Sequence, residues 1–525
     1  MTTVVKRAGA RTIAASRTPL DALAVRHPVV TPALIGLLGL VISLIGIGVP
    51  SIWYDEAATI SAATRSWAQL AEMTTNVDAV HALYYAGMHV VFDLFGYSPL
   101  TLRIPSAFAV GTAAALTVIL GRQLASSRFA VIAGVVFCLL PRTTWMGTEG
   151  RSYALSAVFA VLLTVVLLVA VRSPARKWWI LYGVVAVISC LMFVYLALVL
   201  VAHAASMAWW RADRGRVVGA VVRPWAVASG AATLLVLPFV LAVRSQSGQL
   251  HWIDPLGRMT PERVWEDQWF LNNDTFAVAG WIGIAVGSLV LLRGVRRLHQ
   301  LRSVRGIPTS RSIAPAMMLI PALVLPTAIL LTVSELYLPI YTPRYLSMCL
   351  PFVALVIAAA IDSLRWRGAI GGVLILLLVL SLPTAARQRQ PEAKERSSWA
   401  AVAELIASER AADGPQTSTG IVYGGVQNHP DATSRVIAVA YPDAFAGTVD
   451  VTLATPAAAT GALWETENAL PDSLQRLTDL DVVYLVTSFS RDVRPATTVT
   501  LRNAGWQVAD EWDLTRVHVL RYERG

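Results

Sequence analysis

Charge is scarce in this 525-residue chain. Asp, Glu, Lys and Arg make up 14% of it, against roughly a quarter in soluble globular domains. With 55% hydrophobic residues gathered into long runs, that shortage excludes an ordinary soluble enzyme. Cysteine is scarcer still. Cys138, Cys190 and Cys349 each lie inside an apolar run and no CxxC occurs, so neither a disulfide framework nor a zinc site follows. Acidic residues are thin: beyond Asp55, Glu56 and Glu149 no dense carboxylate cluster suits a hard cation. No essential metal is expected, and a divalent ion stays open. The base-stacking and groove-reading motifs of nucleic-acid binders are missing too, so the net charge of +10 does not point to a nucleic-acid partner. No internal repeat stands out, which counts against a transporter or flippase built from paired halves.

What is present is a series of apolar runs. Residues 32–50, 100–121, 128–145, 152–172, 177–192, 193–210, 217–244, 275–292, 313–335, 343–362 and 368–384 read as membrane helices, about eleven in all. Arginines punctuate them, and cytoplasmic loops are the ones that hold positive charge. Residues 1–31 carry Lys6, Arg7, Arg11, Arg17 and Arg26 and read as a cytoplasmic segment before an uncleaved signal anchor. A further apolar stretch, 80–96, is ambiguous. If it crossed, the clusters around Arg122, Arg172, Arg211, Arg296 and Arg365 would fall outside. It is therefore expected to be re-entrant or interfacial. Segments 51–99, 146–151, 245–274 and 336–342 then share the outer side with everything after about residue 385. Residues 386–525 have the composition of a small α/β domain. Helices are expected over 397–412 and 464–480, and strands over 420–423, 435–440, 449–453, 481–487 and 516–522.

Four features gather on that outer side. The first is Trp53-Tyr54-Asp55-Glu56-Ala57, where Ala57, Ile60, Thr64, Trp67 and Leu70 share a helical face suited to the membrane surface. Asp55 at the start is either a helix cap or a catalytic carboxylate. The second is His81-Ala82-Leu83-Tyr84-Tyr85, an aromatic belt or a substrate face. The third is Glu149-Gly150-Arg151 at a span boundary, a local ion pair or part of a polar cavity. The fourth is Tyr341-Thr342-Pro343-Arg344-Tyr345, where an arginine can grip a phosphate or merely anchor the helix. The Trp-rich segment 245–274 is either an interfacial loop or a mobile lid.

Together with Arg103-Ile104-Pro105-Ser106, these motifs resemble those of the GT-C superfamily of membrane glycosyltransferases, in order and spacing over residues 30–385. The resemblance is to the branch of protein O-mannosyltransferases and aminoarabinose transferases. It differs at Ala82, where many members have proline, and at the less aromatic tail after Glu149. It implies a polytopic α-helical membrane protein with the GT-C catalytic domain over 32–385 and the outer domain over 386–525. It implies transfer of a sugar, mannose before arabinofuranose, from a polyprenyl-phosphate carrier to a hydroxyl of a glycolipid, lipoglycan, glycan or protein outside the plasma membrane. By that resemblance Asp55 is the general base and Arg344 steadies the leaving phosphate. Tyr341 and Tyr345 flank it, and Glu56, His81, Tyr84, Tyr85, Glu149 and Arg151 shape the sugar and acceptor site. Membrane lipids, the lipid-linked donor and the acceptor are the partners; no cofactor is essential.

Overall fold

The computed structural model describes residues 28–214, 219–248, 253, 260–305, 313–427, 429 and 431–525. The basic N-terminal residues Lys6 to Arg26, the loop residues Trp252 and Asp254, and Arg216 and Arg311 lie outside the described residues.

Among the described residues, eight helices are long and apolar enough to cross a membrane. They are Pro99–Leu124, Tyr153–Arg172, Val194–Asp213, Gly219–Ser245, Asp274–Arg297, Pro315–Leu336, Pro343–Asp362 and Arg367–Arg387. Val30–Leu44 and Ser127–Leu139 are apolar but shorter, and Arg176–Met192 is a 17-residue helix. Each expected span thus contains a helix, eight of them long enough to cross, giving a multi-pass membrane protein; the first ends at Leu44, short of the expected residue 50. Ser127–Leu139 stops short because Leu140 turns extended ahead of Pro141, which starts the helix Pro141–Met146. A proline lacks the N–H that would continue the ladder. Small residues let helices approach. A Cβ on Gly36 would lie 2.9 Å from the Gly111 carbonyl oxygen, so Val30–Leu44 and Pro99–Leu124 touch backbone to backbone there.

The segment between the first two spans departs from the expected surface helix. It folds as two helices, Tyr54–Ala63 and Trp67–Asn76. Ser66 and Gln69 form a capping box that starts the second one afresh. Glu56 through Ala63 are all buried. Ala57, Ala58, Ala62 and Ala63 leave room for neighbours on every side, so this helix sits beneath the C-terminal domain rather than on lipid. Ala82–Phe95 is a 14-residue helix packed against Tyr54–Ala63. At its start His81 contacts Arg151, and just past its end the Tyr97 hydroxyl donates to the Ala440 carbonyl at 2.6 Å.

Beyond Arg387 the chain forms a five-stranded sheet in the order β2-β1-β5-β7-β6. β1 (Thr419–Tyr423) runs parallel to β2 (Val449–Asp450) and β5 (Val482–Ser488). β7 (Val517–Arg524) is antiparallel to both β5 and β6 (Trp506–Leu514). Central β1 and β5 are buried throughout. Trp399–Asp413 is the expected helix. Two expectations fail. Residues 435–440 hold the helix Val436–Ala440, because Arg435 is tied to Asp450, Glu465 and Glu467 rather than to a strand partner. Residues 464–480 contain a short strand, β4 (Thr466–Glu467), paired with β3 (Leu453–Thr455), and then a 3-10 turn, Leu470–Leu477, opened by Pro471. Pro471 removes the donor a longer α-helix would need.

Candidate active site

The site is built where the helix Tyr54–Ala63 meets the loop before Tyr153 and the turn before Leu350. Asp55 is the second residue of its helix, whose cap position is Trp53 and carries no side-chain cap bond. The carboxylate instead faces Arg344, with Oδ2 3.1 Å from Nη1. The two side chains are 16% and 15% exposed, enough for a substrate to reach both. Pro343 opens the helical turn Pro343–Cys349 and so aims Arg344 at the pair. The guanidinium also lies over the Trp53 ring, 5.4 Å from its centre.

Arg151 forms the floor. It donates to the Asp55 carbonyl at 3.1 Å, to the Tyr85 hydroxyl at 3.1 Å and meets His81 Nε2 at 2.7 Å. The Tyr85 hydroxyl in turn donates a hydrogen bond to Asp78 Oδ2 at 2.8 Å. Burial, with Arg151 and Arg344 beside it, pushes His81 well below the ordinary histidine range, so Nε2 accepts from Arg151 as a neutral imidazole. Burial likewise raises Asp78 against the pull of Arg151. Asp55, Arg344, Arg151, His81 and Tyr85 are therefore one connected cluster.

Glu56 and Glu149 form a second layer, both fully buried. Arg103 grips Glu56 with both fork nitrogens, at 2.8 and 2.7 Å, and the Gly150 N–H adds a third bond at 2.8 Å. Lys394 bridges the two carboxylates, 3.2 Å from Glu56 and 2.7 Å from Glu149. Trp53 Nε1 donates to the other oxygen of Glu149 at 2.5 Å. Burial raises the pKa of Glu56, but Arg103 and Lys394 outweigh it and hold the group at about 2. For Glu149 burial wins over Lys394, and it is pushed up to about 7. These oxygens are spent on protein partners, so both residues shape the cluster through Trp53, Arg103 and the Gly150 backbone. Tyr84 is buried beside them. Tyr341 stands apart, its hydroxyl donating to Gln268 Oε1 at 3.1 Å. Tyr345 joins an aromatic wall, stacked on Tyr195 with centroids 4.9 Å apart and near Phe193 and Tyr153.

A cavity of about 360 Å³ opens beside Trp53 and Arg344. Arg142, Arg263, Arg387 and Lys394 add positive charge to its lining, against Asp267 and Glu395. A buried polar atom on that lining, Arg142 Nε, has no protein partner among the described residues. An anion of phosphate size fits that chemistry. The Trp-rich segment contributes Asp267, which holds Arg142 at 2.5 Å, and Trp265, which stacks on Trp281. Sequence reasoning missed Arg142, Lys394 and Asp78. Arg142 carried a usable signal, a charge inside an apolar run. Lys394 carried none, since it lies in a polar stretch where lysine is commonplace.

No family model and no curated protein matches the chain. Solved structures do. ArnT from Cupriavidus metallidurans in the apo state superposes with a TM-score of 0.57 at 13% identity, over 93% of this chain and 97% of that one. ArnT from the same organism bound to undecaprenyl phosphate gives 0.53 at 14% identity, with the same coverage. At such identities the likeness is one of fold. The chain has the GT-C fold of a multi-pass membrane protein, with its sheet domain set over the Asp55 cluster.

Proposed function

We propose that this protein is a glycosyltransferase that moves a sugar from a polyprenyl-phosphate carrier to an acceptor hydroxyl at the outer face of the plasma membrane. The observation that carries the reading is the Asp55–Arg344 pair, accessible at the rim of a cation-lined cavity. The structure of ArnT with undecaprenyl phosphate supports such a ligand for this fold.

In the proposed reaction Asp55 takes the proton of the acceptor hydroxyl as its oxygen bonds to the anomeric carbon. The bond from that carbon to the phosphate oxygen breaks, and its electron pair leaves with the lipid phosphate. Arg344 meets the charge that grows there; a positioned cation acts most strongly in a site shielded from water. One displacement inverts configuration, so a β-linked donor yields an α-linkage. Arg151 fixes the backbone at Asp55, while His81 and Tyr85 fix Arg151. The aromatic wall of Tyr153, Phe193, Tyr195 and Tyr345 suits the first isoprene units of the carrier.

Mannose is the favoured sugar, with arabinofuranose second. The acceptor is an envelope glycolipid, lipoglycan, glycan or protein hydroxyl. Purified protein in lipid nanodiscs, given polyprenyl-phosphate-mannose or polyprenyl-phosphate-arabinofuranose with envelope glycolipids, tests the proposal. Labelled product from the first donor is expected. Product from the second alone moves the sugar, and carrier translocation with no transfer overturns the enzyme reading in favour of a flippase.

A further inference from the structure

The C-terminal domain grips the helix of Asp55 more closely than a tether requires. The carbonyls of Gly461, Ala462 and Leu463 accept from Asn76 at 3.0 Å, Arg65 at 2.7 Å and Ser61 at 2.8 Å. Trp464 Nε1 donates to the Tyr54 hydroxyl at 2.7 Å, and the Ile52 N–H donates to the Tyr441 hydroxyl at 2.9 Å. Arg435 braces this segment from behind through Glu465 and Glu467. The same domain lays His429 flat on Tyr54, the residue before Asp55, with centroids 3.3 Å apart and planes 2° from parallel. Arg491 Nη1 anchors the His429 carbonyl at 2.8 Å.

His429 lies within electrostatic reach of both Asp55 and Arg344. Burial and Arg344 outweigh Asp55 and bring its pKa down to about 4, so the ring is neutral at working pH. A neutral imidazole offers one N–H donor and one lone pair. Neither ring nitrogen is engaged by another described residue. The cation-lined cavity is bounded by Trp53 and Arg344 but includes neither Tyr54 nor His429. Arg344 thus lines the cation-rich cavity, while its partner Asp55 follows the tyrosine on which the C-terminal domain lays an imidazole.

We infer that the C-terminal domain completes the active site, and that His429 holds the hydroxyl of a sugar acceptor against Asp55. This rests on the transferase reading above. His429 touches the acceptor and exchanges no proton in the step: the hydroxyl proton still goes to Asp55, and the phosphate still leaves on the other side. Stacking on Tyr54 fixes the ring plane, which leaves its edge to select among hydroxyl positions.

The test compares wild type, His429→Phe and His429→Ala as full-length protein in nanodiscs. Decaprenyl phosphate binding is measured first, then transfer from the accepted donor to a panel of octyl glycosides. Phenylalanine keeps the stack and loses the hydrogen bond. The expected result is about a tenfold rise in acceptor KM for His429→Phe, the loss of one hydrogen bond, with donor KM and carrier binding unchanged. His429→Ala should do the same and also lower thermal stability. A His429→Phe variant with wild-type acceptor KM, or with donor KM rising in step, overturns the inference while leaving the transferase reading intact. A wild type that binds the carrier yet glycosylates no octyl glycoside also counts against a sugar acceptor at His429. A wild type that binds no decaprenyl phosphate refutes the donor reading itself.

Discussion

Replacing Lys394 by Met should destabilise the protein, and more so as pH rises. Lys394 Nζ lies 3.2 Å from Glu56, 2.7 Å from Glu149 and 2.6 Å from the Thr148 carbonyl, all inaccessible to water. Without it, two buried carboxylates share one cation, Arg103. Removing one partner of a buried ion pair costs about 3–5 kcal/mol because the other charge is stranded. The site can relieve this by taking up a proton. Glu149, pushed up to about 7 by burial against the pull of Lys394, loses that pull and titrates higher still. Its folded pKa lies above the ordinary value of 4.5, so its contribution is intact below 4.5 and fades as pH rises through the folded value. Glu56 has the opposite sign: held near 2, it contributes above 4.5 and fails only as pH falls towards 2. The Lys394→Met deficit should therefore be large at pH 8 and smaller at pH 6. Adding Glu149→Gln should recover part of it, since the amide keeps an acceptor for Trp53. Thermal unfolding in detergent, followed by tryptophan fluorescence at both pH values, is the assay. Wild-type stability of Lys394→Met at pH 8, or a deficit equal at pH 6 and pH 8, would refute the reasoning.

Three further outcomes follow from single contacts. Arg344→Lys keeps a charge but loses the fork beside Asp55 and the overlap with Trp53, so transfer should fall by about tenfold or more while the protein stays folded; steady-state rates with a fixed donor check it. Gly287→Ala would set a Cβ 1.9 Å from the Val356 carbonyl oxygen, forcing apart two spanning helices. A loss of about 1–3 kcal/mol is expected in detergent unfolding. Trp464→Phe removes the bond to the Tyr54 hydroxyl. It should cost about 1 kcal/mol, and hydrogen exchange should speed up in the helix Tyr54–Ala63.

The membrane architecture was legible because each apolar run needs its own helix in lipid, and composition alone marks the runs. Charge placement set 80–96 apart from the spans, and the helix there is 14 residues long, Ala82–Phe95. The first outer helix was misread because its Ala, Ile and Thr spacing fits a lipid surface as well as a protein groove, and only tertiary contact with segment 461–464 distinguishes them. In the sheet domain β6 went unread, since its Asp510, Glu511 and Asp513 look like loop residues; an exposed edge strand tolerates them. The site motifs were legible as motifs, and Asp55, Arg344, Arg151, His81 and Tyr85 do lie together. Which acids face a substrate and which are consumed was not: Asp55 and Glu56 are neighbours in sequence, yet one is accessible and the other is gripped by Arg103. That difference depends on helix rotation against partners on other helices, Arg103 for Glu56 and Arg344 for Asp55.

The central claim is that Asp55 accepts the proton of the attacking hydroxyl. The most direct measurement is single-turnover transfer by wild type and Asp55→Asn, with decaprenyl phosphate binding measured on the same samples. The account predicts that Asp55→Asn binds the carrier and transfers about 10²–10⁴-fold more slowly. Transfer at the wild-type rate by a folded, carrier-binding Asp55→Asn would contradict it.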